Sequence, residues 1–375
     1  MKIGIVLYPT YGGSGVVATE LGMALANKGH YVHFITYSQP VRLDTFSPNI
    51  FYHEVAVSDY PLFEHQPYET QLASKLVDVV KHEGLELLHV HYAIPHASAA
   101  YMAKQILATQ GIFIPFITTL HGTDITLVGK DPSFEPVITF CLNVSDAVTA
   151  VSESLKADTL KFFNTKRTID VIPNFISVNE FLPEVNMEMR RKYAKDDERI
   201  VCHVSNFRKV KRVEDVVLIF DKIIKEKPAV LLMVGDGPER YVAERLCRQL
   251  GNCTKVIFLG KVRDTNEVLK LIDLFILPSE TESFGLAALE AMALGVPVIS
   301  SNTGGIPEVN KHGFSGYLAD VGDVEAMAKY ALEILKDEAS LNKFKLQALE
   351  QAKNFEIKQI LPIYEALYDR VLKLS

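Results

Sequence analysis

The strongest constraint on this chain is an alternation that starts twice. Short apolar runs occur at 3–7 (IGIVL), 31–36 (YVHFIT), 85–91 (LELLHVH), 115–120 (PFITTL), 146–152 (DAVTAVS) and 169–173. A second set begins at 200–205 (IVCHVS) and continues at 230–234, 256–259, 274–277 and 296–300 (VPVIS). Runs this short and this apolar suit strands buried on both faces. Helical patterns lie between them, such as 17–27, which stops at Lys28-Gly29-His30, and 71–82 and 97–110. Strand, helix and strand in that order demand a right-handed crossover and a parallel sheet. The restart at residue 200 makes two such sheets, so the expected class is α/β, with two Rossmann-like, doubly wound domains. A length of 375 residues with 48% hydrophobic content is enough for two cores. Residues 174–184 read as the linker. The tail carries apolar residues at 357, 360, 361, 363, 364, 367, 371 and 374, a helical stripe that Pro362 is expected to kink or divide.

Composition removes several function classes. There is no run of eighteen apolar residues, and the opening MKIGIVLYPTYGG is a strand and a loop rather than a signal peptide. The expectation is a soluble, cytoplasmic protein without membrane insertion. A net charge of −7 argues against nucleic acid and against an anionic lipid surface. Cys141, Cys202, Cys247 and Cys253 show no C-x-x-C spacing and read as reduced and mostly buried. His89, His91 and His96 have no cysteine or carboxylate at ligand spacing, so a polar edge is expected there rather than zinc. A homodimer is left open.

The most informative stretch is 278–308, PSETESFGLAALEAMALGVPVISSNTGGIPE. Glu282 precedes Ser283-Phe284-Gly285, and an Ala- and Leu-rich run, 286–294, stops at Gly295. If Gly285 and Leu286 open a helix, their N–H groups lack intrahelical acceptors and sit at the positive end of the dipole. That is an anion site. Glu290 follows Glu282 by eight residues, roughly 12 Å if the spacing is mostly helical. For either glutamate alone, a solvated helix face is the plainer reading. The context favours a site: a buried strand follows, then a loop with Gly304-Gly305 and with Pro307 suited to a helix start.

This block resembles the signature of the retaining nucleotide-sugar glycosyltransferases of GT-B architecture, and the resemblance extends over essentially the whole chain. It implies two domains facing a central cleft, residues 1–175 for the acceptor and 176–356 for the nucleotide sugar, with 357–375 crossing back onto the first. It further implies that Glu282 holds the donor sugar and Glu290 the ribose. The backbone of Phe284, Gly285 and Leu286 would lie at the diphosphate, and that of Lys261 and Val262 at the base.

Other stretches fit that expectation. Gly13-Ser14-Gly15-Val16-Val17-Ala18 formally matches a dinucleotide fingerprint, yet residues 36–39 offer no acid for a ribose, so a dehydrogenase is disfavoured. In the family this loop, which includes Tyr11 and Gly12, lies near the diphosphate and the acceptor. His121 ends the strand at 115–120, where ligands bind in parallel sheets, and the matching family histidine contacts the transferred sugar. Residues 206–212, NFRKVKR, place four cations in seven residues at the end of a strand. A solvated surface is the usual meaning of such a cluster. Here the cations could neutralise a departing diphosphate. The family has an Arg at the place of Asn206 and a Lys at that of Lys211. Arg208 would replace the missing cation if the segment stays extended. The candidate catalytic set is thus His121, Lys211 and Glu282. No carboxylate pair of hydrolase type stands out, and no Asp-x-Asp pair is present, so no obligatory metal or cofactor is expected.

At closer range GGSGVVATELG, HVHYAIPHA, TTLHGTDITLVG and SNFRKVKRVEDV resemble the branch of the family that transfers N-acetylglucosamine to L-malate in bacillithiol biosynthesis. The implied substrates are UDP-N-acetylglucosamine and L-malate. Candidate acceptor contacts are Ser14, Gly15, Tyr92, Thr119, Asn206 and Arg208, the last suited to bidentate carboxylate pairing. The competing readings are another small soluble or saccharide acceptor, and a two-lobed binding protein without chemistry.

Overall fold

The computed structural model describes residues 1–9, 13–56, 67–127, 129, 131–177 and 184–374. Tyr11 and Gly12 of the glycine-rich loop, and most of the expected linker, lie outside these residues. The chain divides into two compact units, Met1–Phe175 with Ile357–Ser375, and Ile176–Glu356.

Unit 1 holds a sheet of β1 (Lys2–Val6), β2 (Tyr31–Thr36), β3 (Ile50–Glu54), β4 (Leu87–His91), β5 (Phe116–Leu120), β6 (Ala147–Ala150) and β7 (Ile169–Val171). The order is β3-β2-β1-β4-β5-β6-β7, and every pair is parallel. Unit 2 holds β8 (Arg199–Val204), β9 (Ala229–Val234), β10 (Val256–Gly260), β11 (Leu274–Leu277), β12 (Val298–Ser301) and β13 (Gly316–Ala319), ordered β10-β9-β8-β11-β12-β13 and also parallel. In each sheet the order reverses beside the first strand, between β1 and β4 and between β8 and β11. Loops leaving the carboxyl ends of those strands diverge, and a crevice opens there.

The apolar runs behave as their composition demands. β4, β5, β6 and β9 are buried at every position. Two strands were not anticipated. β3 (IFYHE) is an edge strand with one fully buried residue, so it has no apolar run to read. β13 begins at Gly316, whose lack of a side chain is required because a Cβ there would lie 1.8 Å from the Val298 carbonyl oxygen.

Pro362 does not divide the last helix, which runs unbroken over Ile357–Leu374. Its buried stripe, Ile360, Leu361, Tyr364, Leu367, Tyr368 and Val371, packs in unit 1. Polar contacts add to it: Glu365 pairs with Lys28 and His30, and Arg370 with Asp170. Tertiary burial outweighs the one hydrogen bond a proline removes. The four cysteines are free thiols, three of them buried.

Candidate active site

The site residues of unit 1 gather where β1, β4 and β5 end. Ser14 and Gly15 lie in the first turn of the helix Gly13–Asn27, and the Tyr92 hydroxyl donates to Ser14 Oγ at 2.6 Å. Tyr92 follows β4 directly and has φ 89°, a left-handed conformation that turns the chain away from the strand. Burial pushes its phenol up to about 12, so it stays a neutral donor. The Tyr8 ring stands 5.4 Å from it and that of His121 5.2 Å.

His121 is half-buried and shares a 2.8 Å hydrogen bond through Nε2 with Nδ1 of His91. Burial, then the nearby His96, lowers its pKa to about 3. The ring is therefore neutral at physiological pH, and with Nε2 engaged it presents Nδ1 to any ligand. His91 is fully buried, and its Nε2 has no hydrogen-bond partner. Asp124 ties the two loops together, accepting from the Ala93 N–H at 2.9 Å and the Gly122 N–H at 3.0 Å. Burial raises its pKa while those N–H groups lower it. The sequence had singled out no role for Asp124. A carboxylate capturing backbone N–H groups across two loops leaves no local signature.

Thr119 requires a correction. Its hydroxyl is 1% exposed and bonds His89 Nε2 at 2.6 Å and Thr149 Oγ1 at 2.6 Å, while His89 Nδ1 meets the Tyr368 hydroxyl at 2.7 Å. This chain of contacts docks the last helix onto β4 and β5. A hydroxyl buried in the core and engaged from both sides is closed off from an acceptor in the crevice.

In unit 2 the loops after β8 and β11 meet through one ion pair, Lys211 Nζ to Glu282 Oε2 at 2.5 Å, with both side chains more than four-fifths buried. Around that pair the backbone is packed without room for side chains. A Cβ on Gly304 would lie 2.0 Å from the Glu282 carbonyl oxygen, and one on Gly305 2.3 Å from that of Ser283. The Gly305 N–H donates to the Glu282 carbonyl at 2.9 Å. The double glycine thus props up the Glu282 loop. On the other side, Cβ atoms on Gly235 and Gly237 would lie 1.8 and 2.0 Å from the carbonyls of Ser205 and Asn206.

Gly285, at φ 93°, caps the helix Leu286–Ala293, whose first N–H groups lack intrahelical acceptors as expected. Glu290 sits half-buried on that helix. Phe284 contributes only backbone to any ligand, because its side chain is 3% exposed and packs edge-on against Phe355 at 5.6 Å. Lys261 is exposed and Val262 half-buried just past β10, whose last carbonyl, Gly260, accepts from the Gly235 N–H at 2.8 Å.

Asn206 and Arg208 are exposed after β8. The premise that they share a side of an extended segment fails, since Phe207 between them has φ 40° and is fully buried, stacked at 6.1 Å on His203. Arg208 forms no ion pair among the described residues, whereas Arg212 is committed to Asp215 at 2.6 Å.

Both halves of the chain match family models: residues 11–180 that of Glycosyltransferase Family 4, and residues 185–351 that of glycosyl transferases group 1. An N-acetyl-alpha-D-glucosaminyl L-malate synthase of Bacillus anthracis is 47% identical over 375 residues, covering 100% of this chain and 98% of the relative. Among solved structures, a sucrose-phosphate synthase from Thermosynechococcus elongatus superposes with a TM-score of 0.80 over 100% of both chains at 23% identity. HepE of Anabaena, solved with UDP and glucose, gives 0.81 over 98% of this chain and 99% of its own at 20% identity. Those two likenesses concern the fold alone. With the double glycine seated under Glu282, Lys211 paired to that glutamate and two parallel sheets reversing at their first strands, the chain belongs to the group 1 glycosyltransferases and has the GT-B fold.

Proposed function

We propose that this enzyme transfers N-acetylglucosamine from UDP-N-acetylglucosamine to the hydroxyl of L-malate with retention of configuration. The observation that carries the reading is the full-length 47% identity to a synthase of that name. The residues of unit 2 supply the donor end. Glu290 accepts from the ribose hydroxyls, the backbone at Lys261 and Val262 meets the base, and Glu282 orients the sugar. Lys211, Arg208 and the N–H groups at Gly285 and Leu286 stabilise the charge that grows on the departing diphosphate, a preorganised set that needs no reorganisation during transfer.

In this reading Lys211 and Glu282 act as each other's counter-ion until the donor arrives. The leaving phosphate oxygen takes the proton of the attacking hydroxyl. His121 Nδ1 meets a sugar hydroxyl. Ser14 with Tyr92, the Gly15 backbone, Asn206 and Arg208 are the groups suited to a hydroxy-dicarboxylate, with Arg208 as the bidentate partner. Thr119 is excluded from that set. Because fixed cations meet the diphosphate, no metal is required, and a chelator should leave the rate unchanged. Both substrates are small and soluble, which suits a cytoplasmic enzyme; no helix among the described residues is long and apolar enough to cross a membrane.

The test offers the purified protein UDP-N-acetylglucosamine with L-malate, D-malate, inositol phosphate or simple sugars, and follows UDP release and the anomer formed. L-malate should be the preferred acceptor and the product α-linked. Product from another acceptor only would overturn the malate assignment and leave the transferase standing.

A further inference from the structure

At the edge of the first sheet, away from the residues assigned to transfer, three ligand-type side chains converge. His33 lies on β2 and His53 on β3. The register pairs His33 with Phe51 and Ile35 with His53, so both histidines project from the same sheet face two positions apart. Glu83 is the last residue of the helix Tyr68–Glu83, which ends in a left-handed Gly84. His33 Nδ1 and His53 Nε2 approach to 2.9 Å, and a Glu83 carboxylate oxygen completes a group whose atoms all lie within 4.8 Å of one another.

A pair of neutral imidazoles sharing one hydrogen bond would account for the first distance but not for the carboxylate. Ligands around a tetrahedral ion with bonds of about 2.0–2.2 Å stand roughly 3.3–3.5 Å apart. The imidazole pair stands slightly closer than that and no pair exceeds 4.8 Å, so side-chain rotations can open the group to that spacing. We propose that His33, His53 and Glu83 form a divalent transition-metal site, suited to zinc, that staples the edge strand β3 and the end of the helix to β2.

Three features agree with it. Imidazole and carboxylate together select zinc-like ions over magnesium or calcium. The carbonyl end of the helix is the negative end of its dipole and favours a cation. The 2.9 Å contact between His33 Nδ1 and His53 Nε2 requires one of the two nitrogens to carry no proton, and the neutral imidazole is the metal-binding form. The charged neighbours are mixed: Lys2 and Lys75 oppose a cation while Asp78 and Glu83 favour it. Lys2 Nζ donates to the Glu83 main-chain carbonyl at 2.7 Å, not to its carboxylate. His33 is 2% exposed, whereas His53 and Glu83 are half-buried, so water can fill the fourth position.

The test titrates the chelator-stripped full-length protein with zinc chloride against a chromophoric chelator and records thermal unfolding of the same samples. The expectation is one equivalent bound, and a rise of about 5–10 °C in the unfolding midpoint at a hundredfold excess over Kd. His53→Ala should weaken binding about 100-fold and Glu83→Gln about tenfold, so that at the same zinc concentration the rise in midpoint is nearly lost in the first and about halved in the second. His82→Ala, an exposed histidine on the same helix turn, should leave both readouts unchanged. Wild-type protein that takes up no zinc, or a Glu83→Gln variant with unaltered affinity and unaltered zinc-dependent midpoint, would overturn the site. Should His53→Ala fail to fold, the Glu83→Gln and His82→Ala pair decides alone.

Discussion

Replacing Glu282 by Gln separates two roles that the unliganded structure merges. The change keeps shape and leaves the backbone bond from Gly305 in place, but it strips Lys211 of its counter-ion. Exposed pairs of this kind contribute about 0.2–1 kcal/mol, while breaking a fully buried one costs about 3–5 kcal/mol. Side-chain exposures of 19% for Lys211 and 17% for Glu282 place this pair between those limits, nearer about 2 kcal/mol. For a unit of this size that corresponds to a fall of about 4–8 °C in the unfolding midpoint. A bound diphosphate would return a negative partner to Lys211. Differential scanning fluorimetry with and without UDP should therefore show the deficit of Glu282→Gln shrinking by about half at saturating UDP, provided Lys211 is a phosphate contact. A fall below about 1 °C would mean the pair contributes little. A deficit that persists unchanged with UDP bound would refute the placement of Lys211 at the diphosphate.

Other outcomes follow from the same geometry. Glu290→Gln should weaken UDP binding by about 1–3 kcal/mol, because an amide half-replaces a carboxylate facing two ribose hydroxyls; calorimetry with UDP checks it. Gly304→Ala meets both a positive φ of 56° and a Cβ 2.0 Å from the Glu282 carbonyl, so it should cost at least about 2 kcal/mol and lower UDP affinity together with stability. Folded-state pKa values near 3 for His89 and His121 and near 4 for His96 lie below the unfolded value of 6.5. The unfolded chain therefore binds more protons at acidic pH. Stability is fully present above pH 6.5 and should decline as pH falls toward 4, approaching about 1.4 kcal/mol per pH unit for each such imidazole. Urea midpoints across pH 7 to 5 measure it, and a flat profile would contradict the neutral histidine cluster.

Local sequence carried much of this architecture because its signals are local in origin. A strand buried on both faces must be apolar along its length, so β1, β4, β5, β8, β9 and β11 were legible as runs, and a repeated strand–helix–strand order leaves a parallel sheet as the only short connection. The helix Glu153–Phe162 begins on an equally local device, Ser152, whose Oγ accepts from the Leu155 N–H at 3.0 Å. The candidate site was visible as residue types, His121, Lys211, Glu282 and the glycine pair near strand ends and Glu290 on the helix that follows Gly285.

What those residues touch was not visible, since partners far apart in sequence are chosen by packing. Thr119 read as a candidate acceptor contact and His89 as part of a polar edge, and both became a buried chain to Tyr368, 279 residues beyond His89, once the last helix docked. The same docking kept that helix whole across Pro362, which a local rule would break. Phe207 left the extended conformation to bury itself between two exposed residues, Asn206 and Arg208. The edge strand β3 carried no apolar run, because an edge needs only one covered face, so its His53 could meet His33 and Glu83 only in three dimensions. Periodicity reports which face of an element is covered; only the folded chain decides what covers it.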